Sequence, residues 1–64
     1  MEFIEGETYT DGTKSFMVMA VDSQDDVEAW LAILWVDSEG NSGEADELCI
    51  KAADYKKWKI REFN

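Results

Sequence analysis

The sequence predicts a mostly-β fold, a five-stranded antiparallel small barrel with one short helical turn before its last strand. Three observations carry that prediction. Asp11-Gly12, flanked by Thr on both sides, is a strong hairpin signal. Residues 27–37, Val-Glu-Ala-Trp-Leu-Ala-Ile-Leu-Trp-Val-Asp, form the longest apolar run, closed by the turn-forming Asp37-Ser38-Glu39-Gly40-Asn41. Residues 58–63 alternate apolar and charged side chains, the period of a half-buried strand.

Taken in order, residues 1–5 offer Phe3 and Ile4 as an edge segment, and residues 6–10 read as a short strand with Thr and Tyr suited to a pleat. After the Asp11-Gly12 turn, residues 15–22 form a second strand that is apolar on both faces. Residues 23–26 are polar and acidic and make a connection. Residues 44–50 return as a fourth strand with Leu48 and Ile50 pointing inward, and residues 51–57 suit one helical turn. In the fifth strand Trp58, Ile60 and Phe63 are the candidate anchors. With no internal repeat, proline or linker, residues 1–64 are expected to be a single small domain.

The central run satisfies two patterns. As a helix over about 24–36, giving an α+β fold, Ser23 would cap it, and Val27, Trp30, Leu31 and Leu34 fall at helical spacing. As a strand, Val27, Ala29, Leu31, Ile33 and Trp35 share one face. The strand is preferred because the helix would be apolar nearly all round after Ala29, more surface than so short a chain can cover.

This order of elements, with its long third strand ending in Trp-Val-Asp-Ser-Glu-Gly and its helical turn before Trp-Lys-Ile, resembles the Src-homology-3-like small β-barrel found in short phage and bacterial proteins. The resemblance spans residues 6–63. The peptide-binding members of that family carry clustered aromatics and an Ala-Leu-Tyr-type stretch near the start. Here only Tyr9 stands in that region, so the resemblance implies a fold and no proline-rich ligand.

Length and charge bound the rest. A chain of 64 residues buries only about 60% of its unfolded surface, so its stability is limited to a few kcal/mol. Cys49 has no partner for an intramolecular disulfide, which fits a reducing, cytoplasmic setting. No basic start leads into an apolar segment of leader length, and residues 29–36 are far too few to span a bilayer, so neither a leader nor a membrane role is expected. The net charge is −9, unevenly spread: residues 1–50 set thirteen acids against Lys14, whereas residues 51–64 set five bases against Asp54 and Glu62. Such a surface repels phosphate backbones, disfavours direct nucleic-acid binding and attracts basic proteins. Solubility alone would also account for it.

Much chemistry is excluded. The chain has no histidine, and with it go the usual general base, the Ser-His and Cys-His pairs and the commonest transition-metal ligand. Cys49, between Leu48 and Ile50, reads as a buried, unreactive thiol. The four glycines form no phosphate loop. Residues 37–44 alternate oxygen ligands as a calcium loop does, but Ser42 and Leu48 stand where such a loop needs glycine and glutamate. No catalytic residue, cofactor or metal is therefore expected.

Two features remain as candidate binding surfaces. With Phe16, Val18, Val21, Val27, Leu31, Ile33 and Trp35 inward, Met17, Met19, Trp30, Leu34 and Val36 point outward, and Glu28 marks the solvent side. Met and Trp on an open sheet suit an adaptable interface, unless a terminal segment folds over them. The second feature is the acidic loops: Asp25 and Asp26 at one connection, Asp11, Asp37, Glu39, Glu44, Asp46 and Glu47 toward the other end. Rows of carboxylates can imitate a phosphate backbone and occupy a basic groove. The expected function is a non-enzymatic acidic module that binds another protein, in its sharper form a phage-type inhibitor of a basic, nucleic-acid-handling surface. The competing expectation is an accessory module that forms a homodimer through the apolar sheet face. A weaker one uses Lys56, Lys57, Lys59 and Arg61, with Tyr55 and Trp58, to hold single-stranded nucleic acid.

Overall fold

The computed structural model describes residues 2–62. Five strands form one sheet: β1 (Thr8–Thr10), β2 (Ser15–Gln24), β3 (Glu28–Val36), β4 (Ser42–Lys51) and β5 (Lys59–Ile60), with a 3-10 helix over Ala52–Lys57. All pairs are antiparallel, in the order β4-β3-β2-β1-β5. Strands β4 and β5 are the two edges, and the sheet does not close into a barrel. The central run is extended, which removes the helical alternative over 24–36.

The long β2–β3 pairing contains two irregularities that decide which side chains face inward. Val18 is opposite Ile33 and Ala20 opposite Ala32, so Met19 is an extra residue; Val21 is opposite Leu31 and Ser23 opposite Trp30, so Asp22 is another. Strict alternation from Phe16 and Val18 would turn Val21 outward. The Met19 bulge shifts the phase by one, bringing Val21 to the core side and reconciling a segment that is apolar on both faces.

The core lies on one face of the sheet. Tyr9, Phe16, Val18, Leu31 and Ile33 are completely or almost completely buried, together with Phe3, Ala29, Ile50 and Tyr55. Phe16 is the hub, with its ring 4.8 Å from Trp58 and 6.2 Å from Trp35. Phe3 closes one end by meeting Tyr9 edge-on at 5.0 Å and Tyr55 at 5.7 Å. The segment around Phe3 is not an edge strand. The Gln24 side-chain amide holds it instead, its Oε1 accepting from the Phe3 N–H at 2.6 Å and its Nε2 donating to the Phe3 carbonyl at 3.3 Å.

Two expected inward anchors, Val27 and Ile60, fall elsewhere. Val27 is 67% exposed, because it sits in the β2–β3 turn, where its N–H is taken by Asp25. Ile60 is 49% exposed on an edge strand of two residues. Phe63 lies outside the described residues. Trp58 precedes β5 and packs against the core from the end of the 3-10 helix.

The Tyr9 hydroxyl, on a fully buried ring, accepts from the Ile4 N–H at 2.9 Å and donates to the Glu2 carbonyl at 3.3 Å. Tyr9→Phe is expected to lower stability by about 1 kcal/mol without changing the fold. Phe16→Ala is expected to remove about 3–5 kcal/mol and leave little folded protein. Urea titrations followed by circular dichroism check both.

Candidate protein-binding face

The face of the sheet opposite the core is built by register. Its cross-strand rows are Thr8, Met17, Leu34 and Ala45; then Ala20, Ala32 and Glu47; then Ser23, Trp30 and Cys49. Met19, lifted out by its bulge, is 50% exposed and Trp30 is 44% exposed, while Met17, Leu34 and Val36 are half-buried. Met19, Ala32, Leu34, Ala45 and Glu47 line a shallow depression on this surface. The N-terminal segment does not cover it, because Phe3 is spent on the core side. At the far end Arg61 reaches over Ser15: its guanidinium donates to Ser15 Oγ at 3.1 Å, the Asp37 carbonyl at 2.8 Å and the Ser38 carbonyl at 2.6 Å.

Trp30 is held by its neighbours. Its indole N–H donates to Glu28 Oε2 at 2.7 Å, and the other oxygen of Glu28 is ion-paired with Lys51 across the β3–β4 ladder. The ammonium of Lys51, and after it the indole, holds the Glu28 carboxyl below its ordinary range, and Glu28 raises Lys51 in turn. Cys49 does not lie buried between Leu48 and Ile50; it is half-buried beside Trp30, because consecutive strand residues face opposite sides.

The candidate carboxylates do not form one row. Asp25 and Asp26 sit at the β2–β3 turn, and Asp11, Asp37 and Glu39 at the opposite end, where Arg61 ties Ser15 of the first hairpin to the β3–β4 turn. Glu44, Asp46 and Glu47 run along the β4 edge. Three of these acids build the turns they sit in. Asp11 Oδ1 accepts the N–H groups of Thr13 and Lys14, both at 2.8 Å; Asp25 Oδ1 those of Val27 and Glu28 at 2.7 and 3.0 Å; Asp37 Oδ1 those of Glu39 and Asn41, both at 2.9 Å. In two of these turns a glycine takes the left-handed bend, Gly12 at φ +98° and Gly40 at φ +91°. Asp46 spans two partners, accepting the Glu47 N–H at 2.8 Å and the Trp35 indole N–H at 3.2 Å.

In the basic tail both aromatic side chains pack on the core. Tyr55 is buried with its hydroxyl donating to the Asp25 carbonyl at 2.8 Å, Trp58 lies on Phe16, and Lys57 pairs with Asp54 at 3.0 Å. Burial raises the Tyr55 phenol above its ordinary range, with the Asp25 carboxylate adding to it. Sequence reasoning missed the tying roles of Gln24 and Arg61, whose side chains reach backbone atoms at least 21 residues away and, for Arg61, the Ser15 hydroxyl as well. The turn-holding aspartates were accessible: each begins a short polar segment, the pattern of an Asx turn.

Among the described residues no group of three or more His, Cys, Asp or Glu is placed to hold a metal ion, and no helix is long and apolar enough to cross a membrane. No protein-family model, curated protein or solved structure matches this chain.

The backbone N–H bonds of Lys14, Glu28 and Asn41, the largest cause in each case, hold the carboxyls of Asp11, Asp25 and Asp37 below the ordinary 3.8. A group whose folded-state pKa is depressed stabilises the fold above its unfolded value and loses that contribution as pH falls through the folded value. The expected outcome is a stability contribution from these groups that is complete at neutral pH and declines progressively below about pH 5, with NMR titration midpoints for these three aspartates under 3.8.

Proposed function

We propose that this chain is a non-enzymatic, acidic protein-binding module that docks through the outward sheet face, with Met17, Met19, Trp30 and Leu34 as anchors. The observation that carries this reading is the half-exposed pair Met19 and Trp30, standing on a rigid sheet with only small or half-buried neighbours between them. Soluble chains seldom leave such side chains in water on an ordered surface without a partner to cover them. The order β4-β3-β2-β1-β5 with a 3-10 helix before β5 supports a Src-homology-3-like reading of the scaffold.

The partner we favour presents a basic surface. A net charge of −9, with acids at both ends of the sheet and along β4, raises the encounter rate with such a surface and fixes its orientation. In the sharper form the chain acts as a phage-type inhibitor, occupying a basic groove in which the partner handles nucleic acid. Carboxylates on Asp26, Glu39, Glu44 and Glu47 are exposed, whereas those of Asp11, Asp25 and Asp37 are shared with their turns. The first group is therefore the part of the candidate set best placed to meet another molecule.

A second reading, homodimerisation through the same face, is favoured by Ala20 opposite Ala32, which keeps the centre of the face flat enough to meet its own copy. Salt separates the two. Capture of a partner from lysate should weaken steeply from low to high ionic strength and vanish with Trp30→Ala, while the purified protein sediments as a monomer. A salt-insensitive dimer, abolished by Trp30→Ala, would replace the first reading with the second.

A further inference from the structure

We propose that the seam where the sheet fails to close, between the free edge of β4 and the 3-10 helix with β5, is a docking site for an extended, basic segment of a partner protein, which adds to β4 as a further strand. This site lies on the core side and edge of the sheet and meets the outward face only along β4.

The backbone supplies the first argument. Strand β4 is ten residues long and, among the described residues, pairs with β3 alone. Ala52 N–H donates to the Val27 carbonyl at 2.9 Å, so in the antiparallel alternation the main-chain groups of Asp46, Leu48 and Ile50 face β3 while those of Ala45, Glu47, Cys49 and Lys51 face the open edge. A long edge of this kind is a template for another chain. The Glu47 N–H is held by the neighbouring Asp46 carboxylate, which an incoming carbonyl must displace.

The seam supplies the second. It is a groove with Trp35, Leu48 and Ile50 on the β4 side and Trp58 and Lys57 on the helix side. Both indoles pack edge-on or tilted on Phe16, so they are fixed walls, and each remains half-exposed. Alternate side chains of an added strand would point into this groove, where apolar groups fit, while its backbone completes the ladder.

Charge selects the occupant. Glu44, Asp46 and Glu47 lie on the edge strand; of the bases around the seam, Lys51 and Lys57 are paired with Glu28 and Asp54, and Lys14 lies 5.9 Å over the Trp35 ring on the far side of the groove, where Asp11 also lines it. A second copy pairing β4 with β4 antiparallel about its centre would bring Asp46 and Glu47 of one chain against the same acids of the other. Lys or Arg on an incoming strand meets them favourably.

The test uses the ¹⁵N-labelled full chain and a short peptide of alternating Lys and Val residues, with a Glu and Val peptide as control. The Lys peptide is expected to shift the indole N–H signals of Trp35 and Trp58 and to slow hydrogen exchange at the Cys49 and Lys51 amides. Cys49→Pro removes an edge N–H without removing a ladder bond, and should weaken binding about tenfold. The double substitution Asp46→Lys with Glu47→Lys keeps every backbone donor and should weaken it comparably, should the proline variant not fold. Trp30→Ala should leave the peptide titration unchanged, so loss of the outward-face reading and loss of this one are told apart. Absence of protection at the edge amides at millimolar peptide, shifts centred on Met19 and Trp30, equal binding of the Glu peptide, or edge protection that grows with protein concentration alone would each overturn the proposal.

Discussion

Every other feature of this molecule depends on the ring of contacts around Phe16. The described residues hold enough large side chains to seal one face of the β2–β3 pair and not two. It spends Phe3, Tyr9, Tyr55 and Trp58 on the face that Phe16, Val18, Leu31 and Ile33 present. Those four come from the N-terminal arm, the shortest hairpin strand, the 3-10 helix and the residue that follows it, so the sequence-distant parts of the fold are committed to the same side. The opposite face is left to Met17, Met19, Trp30 and Leu34, and among the described residues none of the large aromatic side chains of the core is turned over it. In a domain this small, that allocation is a consequence of surface-to-volume scaling.

Polar groups then fix what the apolar cluster leaves loose. Asp11, Asp25 and Asp37 hold the three hairpin turns by accepting backbone N–H groups, Gln24 substitutes for a strand partner along Phe3, and Arg61 binds the first hairpin to the third turn. The acidity of the chain is thus divided between two roles. Part of it is architectural, and other carboxylates, among them Asp26, Glu39, Glu44 and Glu47, face solvent and contribute to the field that an approaching partner meets. The outward face and the open seam lie on either side of β4, so the acidic edge strand borders both.

Much of this was legible in the residues. Alternation and turn chemistry located all five strands and the short helix to within a few positions, and the argument against a helix over 24–36, that too little chain exists to cover it, is the same argument that explains the bare outer face. Val27 was misplaced because a period-two pattern does not mark where a strand begins; the turn built by Asp25 claims that residue first. The bulges at Met19 and Asp22 were invisible, since a run that is apolar on both faces carries no phase to be shifted. Cys49 was read as buried from its apolar neighbours, although strand geometry sends it to the side opposite theirs. Gln24 and Arg61 reach distant main-chain atoms, which leave no trace in side-chain patterning.

The central claim is that adjacent residues of β3 belong to different environments, one sealed and one open. Chemical denaturation of Leu31→Ala and Trp30→Ala, measured side by side, addresses it most directly. Leu31 is 1% exposed and Trp30 44% exposed. The account predicts that truncating Leu31 removes about 2–5 kcal/mol and unfolds most of the protein, while truncating the larger Trp30 side chain changes stability by less than about 1 kcal/mol. Equal and severe losses at both positions would mean that Trp30 is packed in solution, and would contradict it.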